Sequence, residues 1–151
     1  DNTNNDPDGI LYNKWCKDKL KLINKSDNNI VNIKVAAIYW IDLSYNIGSE
    51  LRKLRTAILW RSSSNKKMWT VLPLTSKHKD DNYYFHYDLL NEKLGTVRIE
   101  NLINISSNRI REPYYLNNKI ATITKKDNDA ILKIIKKYYT FEEINETNVM
   151  T

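Results

Sequence analysis

Apolar and polar residues alternate along this chain with two different periodicities. Between residues 33 and 105, short runs rich in β-branched and aromatic residues are separated by polar turns, a pattern typical of β-strands. We predict strands over residues 35–43, 56–61, 68–74, 83–87 and, as one strand or two, 96–105, with a further extended piece over 119–124. Pro113 predicts that the segment after residue 109 leaves the sheet, because proline cannot donate to a strand ladder.

Two other segments have helical periodicity. Over residues 10–24, apolar residues such as Leu11 and Leu22 recur at roughly helical spacing, with lysines on the other side. A second helix is predicted after Thr124, whose hydroxyl suits an N-cap. The apolar stripe of this second helix consists of Ile131, Ile134, Ile135 and Tyr138.

Many short strands closed by one terminal helix predict a mainly β fold, a small and partly open barrel with an additional N-terminal helix. The chain divides into three parts on this reading. Residues 1–30 form a polar tail with the appended helix, residues 31–140 form the barrel domain, and residues 141–151 form an acidic tail.

Composition narrows the class of protein further. The chain has 151 residues, of which 41% are hydrophobic and 11% aromatic, so one globular domain is expected. A single cysteine excludes an intrachain disulfide and favours a reduced, cytoplasmic setting. No apolar run approaches the roughly 18 residues that a membrane span requires, and the polar start of the chain does not resemble a signal peptide.

The net charge of +6 is unevenly placed. The positive excess lies in residues 34–79 and 119–137, whereas the end of the chain is acidic. A basic body favours a polyanionic partner, because lysine and arginine gain affinity by releasing counterions from phosphates. Ordinary solubility charge in a lysine-rich protein is the alternative, and charge alone does not separate the two.

Four blocks of sequence carry a more specific signal. A strand ending in Asp42-Leu43 runs into Gly48-Ser49-Glu50 and then into Arg55, which opens the next strand. The other three blocks are Val71-Leu72-Pro73-Leu74-Thr75-Ser76, the pair of segments 97–101 and 105–110, and the closing strand and helix over 119–139. In this order and spacing, residues 34–140 resemble the MazF/PemK family of toxins from toxin–antitoxin systems.

The resemblance implies an SH3-like barrel that pairs into a homodimer and needs no metal or cofactor. Members of this family cut single-stranded RNA and are held in check by a cognate antitoxin protein. In their reaction the 2′-hydroxyl attacks the adjacent phosphate, which leaves a cyclic phosphate and a 5′-hydroxyl. Such chemistry needs a base, an acid and a cation that offsets the charge growing on the phosphoryl oxygens.

Arg55, Thr75, Arg98 and Glu100 are the candidate catalytic residues. By resemblance, Arg55 stabilises the transition state, and Thr75 donates its hydroxyl to a phosphate oxygen. Arg98 and Glu100 are two residues apart in a predicted strand, which would place both on one face as an acid–base couple with Glu100 as the base. The alternatives are a strand-edge arginine paired with Glu50, simple turn chemistry at Thr75, and a surface ion pair of Arg98 with Glu100.

The candidate substrate-binding residues surround these four. They are Ser49, Glu50, Arg52, Lys53, Trp69, Ser76, Lys77 and His78. Trp69 fits either base stacking or the core, as do Tyr83 and Tyr84. His86 lies among aromatic residues and is interpreted as structural, and no His, Cys or Asp spacing indicates a metal site.

The chain departs from the family pattern at several places, including Thr56, Ile103-Asn104 and the appended helix, and these leave alternatives open. Ser49 stands where some relatives have a histidine, and residues 51–54 are bulkier and more basic than the usual loop. The alternatives to an RNA-cutting toxin with a protein antitoxin are a non-catalytic gyrase poison on the same barrel, a ribonuclease restrained by an RNA antitoxin, and a non-catalytic RNA-binding domain.

Overall fold

The structure is a computed structural model that describes residues 7–25, 33–44, 46, 51, 53–76 and 83–140. Its centre is an antiparallel sheet. The strands are β1 (Ile38–Asp42), β2 (Leu54–Ser62), β3 (Met68–Thr75), β4 (His86–Asp88), β5 (Thr96–Arg98), β6 (Ile103–Ser106) and β7 (Ile110–Pro113). A separate hairpin pairs β8 (Tyr115–Leu116) with β9 (Lys119–Ile120).

The strand order is β4-β5-β3-β2-β1-β7, and β6 also pairs with β3. β3 is long enough to serve two partners on one edge: its first half pairs with β6 and its last two residues pair with β5. This arrangement sets the ends of β2, β3 and β5 beside one another, which matters for the site described below.

Alternation along the strands gives the sheet two faces, each with its own apolar cluster. One cluster lies under the C-terminal helix and includes Ile38, Ile58, Leu72, Leu74 and Val97. The other includes Tyr39, Ile41, Ala57, Leu59, Trp69, Val71, Ile105 and Ile110. Neighbouring residues such as Ala57 and Ile58 therefore serve opposite faces, as period-two alternation requires.

The C-terminal helix α2 (Lys125–Tyr139) confirms the prediction made from its cap and stripe. Thr124 accepts from the backbone N–H of Asp127, and the Asp127 carboxylate accepts from the backbone N–H of Thr124, which completes a capping box. Ile131 is fully buried, with Ile134 and Ile135 packed against the same cluster. Burial of this stripe holds α2 against the sheet.

The N-terminal helix α1 (Pro7–Ile23) begins earlier than the predicted residue 10. Proline is tolerated in the first turn of a helix, because its missing N–H would have no partner there. The Leu22 carbonyl accepts from Asn108 Nδ2 at 2.9 Å, and the Lys25 ammonium donates to the Ile110 carbonyl at 3.0 Å. These contacts attach α1 to the region around the start of β7.

Two sequence predictions need correction, and a third, left open as one strand or two, is resolved. The predicted strand over 83–87 is wrong at its start, since β4 begins at His86 after a turn. The 96–105 segment, predicted as one strand or two, forms two strands separated by a short 3-10 helix, Ile99–Asn101. The segment ending at Pro113 stays in the sheet as edge strand β7, where a missing N–H is tolerated. Within the described ranges, no helix has the length and apolar character needed to cross a membrane.

Candidate active site

Four hydrogen bonds join the segment before β2 to the segment after β1. The Leu43 N–H donates to the Lys53 carbonyl at 3.0 Å, and the Lys53 N–H donates to the Ser44 carbonyl at 2.8 Å. The Asn46 amide nitrogen donates to the carbonyls of Leu43 and Leu51, at 2.8 and 2.7 Å. These hydrogen bonds fix where β2 begins, and therefore fix the position of Arg55.

Sheet register brings Arg55 and Thr75 together. Ala57 pairs with Pro73, and continuing this antiparallel register by two residues aligns Arg55 with Thr75. Thr75 in turn pairs with Thr96. Because directly opposed residues of a sheet share a face, Arg55, Thr75 and Thr96 lie on the same side of three adjacent strands.

Gly95 holds the end of β3 close to the turn before β5. Its φ of +84° lies in a region that favours glycine, and a Cβ added there would lie 1.7 Å from the Thr75 carbonyl oxygen. Only a residue without a side chain permits this approach. The position of Thr75 therefore depends on Gly95.

A cleft of about 400 Å³ opens beside the start of β2 and the end of β3. Its polar lining residues are Lys53, Arg55, Thr56, Ser76 and Lys93. Its apolar lining residues are Ile38, Trp40, Leu54, Leu74, Leu94 and Tyr114. Three of these described residues are cationic and none is acidic, so we call this space the basic cleft. Such a lining favours an anionic ligand, because a phosphate gains charge-assisted hydrogen bonds there.

A second cleft, of about 620 Å³, lies between α1 and the sheet and shares Trp40, Lys53 and Leu54 with the basic cleft. Its cationic residues are Lys14, Lys53 and Arg111, and its acidic residues are Asp18, Asp42 and Glu112. The charges cancel, and Arg111 already binds the Asp42 carboxylate at 3.1 Å. The smaller cleft is therefore the better anion site, although the α1 cleft is larger.

Glu100 is the centre of a second polar group. Its Oε1 lies 2.7 Å from His86 Nε2, and accepts from Arg98 Nε and Asn101 Nδ2, each at 3.3 Å. Its Oε2 is buried and, among the described residues, has no hydrogen-bond partner. One carboxylate oxygen is thus held by three groups, while the other keeps its lone pairs unused, a rare state for a buried polar atom.

Register places this group beside the first one. His86 pairs with Arg98, and Asp88 pairs with Thr96. The Thr96 hydroxyl donates to the Asp88 carboxylate. Arg98 stands two residues beyond Thr96 on β5, about 7 Å along the strand, and so on the same face. This face at the strand ends is polar, whereas Val97 between them faces α2.

The contact between Arg98 and Glu100 arises differently from the sequence prediction. Glu100 does not continue β5 but lies in the 3-10 helix Ile99–Asn101, so period-two alternation does not align the two side chains. The chain turns after Arg98, and this turn carries the Glu100 carboxylate back to it. The predicted pair is present, but the reasoning from strand period was wrong.

Trp69 was predicted to contact substrate, and the structure contradicts this. Its ring is only 1% exposed and belongs to the apolar cluster opposite α2. Its indole N–H donates to the Lys66 carbonyl at 3.0 Å, so the polar atom is satisfied inside the fold. Trp69 is therefore a core residue.

The other predicted binding residues divide into two sets. Lys53 and Ser76 line the basic cleft together with Arg55. Ser49, Glu50, Arg52, Lys77 and His78 lie outside the described residues.

Two residues of these groups were missed in the sequence. Lys93 reaches the basic cleft from a short 3-10 helix, Glu92–Leu94, and a lysine in a polar turn carries no signal of its own. His86 was interpreted as structural because of its aromatic neighbours, and its contact with Glu100 depends on strand pairing across the chain. Among the described side chains, no group of three or more His, Cys, Asp or Glu residues forms a candidate metal site.

Comparison with known families matches residues 34–139 to the model of the PemK-like, MazF-like toxins of type II toxin–antitoxin systems. The match spans the sheet and α2 and leaves α1 outside it. Because it covers most of the chain, this protein belongs to the MazF/PemK family of toxins. Curated protein sequences provide no significant match.

Solved structures show the same fold at low identity. MazF from Deinococcus radiodurans is 15% identical, with a TM-score of 0.55 over 70% of this chain and 94% of that chain. A MazE–MazF structure from the same organism gives 15% identity and a TM-score of 0.53, with the same two coverages. An endoribonuclease with its cognate antitoxin, from a mycobacterial species, is 11% identical, with a TM-score of 0.51 over 70% and 92% of the two chains. The fold is therefore mainly β, the partly open SH3-like barrel of MazF.

Proposed function

We propose that this toxin is a metal-independent endoribonuclease that cuts single-stranded RNA. The 2′-oxygen attacks the neighbouring phosphorus, the bond from phosphorus to the 5′-oxygen breaks, and the products are a cyclic phosphate and a 5′-hydroxyl. The 2′-hydroxyl gives up its proton, and the leaving 5′-oxygen receives one. No redox step or outside reactant is involved, so side chains alone suffice for the chemistry.

The observation that carries this proposal is the basic cleft. Lys53, Arg55 and Lys93 line a space that suits one phosphate, with the Ser76 hydroxyl beside them. Arg55 supplies a planar guanidinium that matches phosphate geometry and remains charged at physiological pH. Negative charge grows on the phosphoryl oxygens during the attack, so fixed cations stabilise the transition state more than the ground state.

Thr75 supports the same step from the aligned position on β3. Its hydroxyl is a donor of the kind that binds a phosphoryl oxygen, and its backbone is held by Gly95.

We propose that Glu100 is the general base and that His86 and Arg98 position its carboxylate. The two cationic or donor side chains hold Oε1, so Oε2 is the acceptor for the 2′-proton, and because it is buried it must become exposed when RNA binds. Arg98 balances the carboxylate charge while the proton is absent. His86 therefore takes the part of a positioning residue, through the 2.7 Å contact with Glu100.

The partners follow from the same proposal. The matched structures include MazE–MazF and an endoribonuclease with its cognate antitoxin. We propose that a protein antitoxin restrains this toxin as well, that the toxin acts as a homodimer, and that it works in the cytoplasm on messenger RNA. No cofactor is required.

The test is cleavage of a long single-stranded RNA by purified protein in EDTA, with the cut ends mapped. We expect discrete cuts that leave 5′-hydroxyl ends, and Arg55→Ala should cut roughly 10²- to 10³-fold more slowly. Glu100→Gln keeps the shape of the side chain but removes the base, so its cleavage rate should also fall strongly while the protein stays folded.

Matched controls are available on the same elements. Arg61→Ala removes an exposed arginine at the far end of β2, and Glu92→Gln changes an exposed acid outside both polar groups. Both should cut at the wild-type rate. Equal rates for wild type and Arg55→Ala would contradict the enzyme, and loss of cleavage in EDTA would contradict the metal-independent mechanism. Intact RNA together with equal growth arrest by wild type and Arg55→Ala would instead indicate the gyrase-poison class.

A further inference from the structure

Aromatic side chains cluster beside Glu100, on a surface outside the basic cleft. The cluster joins the turn before β4 to the last turns of α2: the Phe85 ring lies 5.6 Å from Tyr83 and 4.1 Å from Tyr138, and Tyr138 lies 4.7 Å from Tyr139. We call this cluster, together with Tyr84 and Lys137, the tyrosine patch.

The tyrosine patch is open to solvent. Tyr84 is 74% exposed, Tyr83 and Tyr139 are each 48% exposed, and Tyr138 is 37% exposed. So many large rings are rarely left uncovered together on a soluble surface without a binding role. Each of these four tyrosine rings has a polar hydroxyl, so the surface suits a ligand with aromatic faces and polar edges better than a purely apolar one.

The charge of the patch is positive. Lys136 and Lys137 occupy the last turn of α2, and the Lys137 ammonium lies 5.1 Å from the centre of the Tyr84 ring. A cation over an aromatic ring, with further exposed rings beside it, is the pair of features by which proteins hold single-stranded nucleic acid: the ring stacks on a base, and the cation meets the phosphate.

The patch is continuous with the group around Glu100. The Tyr83 ring lies 4.8 Å from the His86 ring, and the Tyr139 hydroxyl donates to the Ile99 carbonyl at 3.4 Å, one residue before Glu100. Burial, with smaller contributions from Tyr138 and Glu100, raises the pKa of the Tyr139 hydroxyl and keeps it a donor. The tyrosine patch and the group around Glu100 are therefore neighbours on the protein.

We propose that the tyrosine patch binds nucleotides that flank the cut phosphate in single-stranded RNA, with one base stacked on Tyr84. This inference rests on the proposed function in taking RNA as the substrate. Stacking on tyrosine is tolerant of base identity, so the patch adds affinity and orients the strand, and sequence preference arises elsewhere.

The test measures binding without cutting. A fluorescein-labelled RNA of about 16 nucleotides, the upper end of single-domain site sizes, is fully 2′-O-methylated so that no 2′-hydroxyl can attack, and its affinity is read by anisotropy. Tyr84→Ala should weaken binding roughly tenfold, and Tyr84→Phe should restore it because the ring is kept. Lys137→Ala should reduce the slope of log affinity against log salt by about 0.7.

Tyr115→Ala is the matched control, since Tyr115 is 59% exposed on the β8–β9 hairpin. It should bind as the wild type does. Equal affinity of Tyr84→Ala and wild type, or no binding of the probe by wild type, would overturn the inference. A changed oligomeric state of Tyr84→Ala in light scattering would also overturn it, because the patch would then join two copies of the chain.

Binding and cutting separate the two proposals. Weaker binding by Tyr84→Ala in a protein that leaves RNA intact would support the patch while the ribonuclease fails. Normal RNA cleavage with unchanged binding by Tyr84→Ala would support the ribonuclease while the patch fails.

Discussion

The two faces of the sheet differ most where β3 and β5 meet. On the face covered by α2, Leu74 and Val97 are buried with Ile131 in one apolar cluster. On the opposite face, at the same strand ends, register places Thr75 beside Thr96, with Arg98 two residues further along β5. Along each strand, one residue therefore packs in the apolar cluster while its neighbour carries a polar side chain on the other face.

This division indicates how a small barrel accommodates a reactive site. The apolar clusters on the two faces supply the stability, because burial of apolar area is the main favourable term in folding. The strand ends on the face opposite α2 can then hold arginine, histidine and glutamate near each other, although such groups contribute little or cost stability when desolvated. We expect substitutions in the two apolar clusters to change stability, and substitutions of the polar side chains at the strand ends to change activity.

The largest effect should come from Gly95→Ala, which acts on both faces. The new methyl group would lie 1.7 Å from the Thr75 carbonyl oxygen, and the backbone there has a φ of +84°. Strain and clash together should cost about 4 kcal/mol or more, measured by urea unfolding. Any protein that folds should have lost cleavage, because Thr75 is displaced.

The control for Gly95→Ala is Asn118→Ala, a turn residue with positive φ far from Thr75 in the hairpin. It tests backbone strain without the clash and should cost about 1 kcal/mol. Wild-type stability and activity of Gly95→Ala would show that the close approach to Thr75 is not a constraint.

Asp127→Ala should have the next largest effect, confined to the α2 face. The Asp127 carboxylate is 1% exposed and accepts from the Tyr87 hydroxyl, the Leu90 N–H and the Thr124 hydroxyl, at 2.9, 3.2 and 2.9 Å. Removing it leaves these donors unpaired and removes the capping box, at a cost of about 3–5 kcal/mol. The midpoint of urea unfolding measures this loss.

The rate of RNA cleavage by Asp127→Ala tests whether the α2 face acts on stability alone. Asp127→Ala that remains folded should cut RNA at the wild-type rate, in contrast to Arg55→Ala, which should keep its stability and lose its activity. Asp129→Ala, which removes an exposed aspartate from the same helix, should change stability by no more than about 0.5 kcal/mol. A large loss of catalysis by folded Asp127→Ala would show that the two faces are coupled.

The smallest effect concerns alkaline pH. Burial, and then the contact with Asp127, raise the pKa of Tyr87 from 10.0 to about 12. Below pH 10 both states keep the proton; between pH 10 and 12 the unfolded chain loses it while the folded chain keeps it, so stability falls as pH rises. The loss should be at most about 2 kcal/mol.

Thermal unfolding of wild type and Tyr87→Phe across this pH range measures the effect. The variant should be less stable than the wild type at neutral pH, but it should lose less stability at high pH because it lacks the Tyr87 hydroxyl. Some loss should remain in both proteins, because both contain Tyr39 and Tyr139, whose pKa values are also raised. Parallel falls in the two proteins would assign no part of the alkaline transition to Tyr87.

The elements with strong local signals were predictable from sequence. The cap at Thr124 and the stripe through Ile131 predicted α2, and the β-branched runs predicted β1, β2 and β3. The motif around Arg55 and Thr75 predicted the family, which the match over residues 34–139 confirms. These features depend on residues that are close in the chain.

Predictions that depended on contacts across the chain were incomplete. Trp69 is a core residue because β6 and the cluster opposite α2 surround it, which local pattern does not reveal. Lys93 and His86 join the polar groups through strand pairing and a short 3-10 helix, and neither has a sequence motif.

The sequence by itself determined the helices, most of the strands, the family and the choice of Arg55 and Thr75, because period, caps and motif spacing are local properties of the chain. Only the tertiary structure decided which of these side chains meet. The register of β2, β3, β4 and β5 sets Arg55 beside Thr75 and His86 beside Arg98, and the turn after β5 returns Glu100 to both His86 and Arg98. The physical reason is that strand pairing joins segments distant in sequence, and a shift of one residue would move every side chain to the other face.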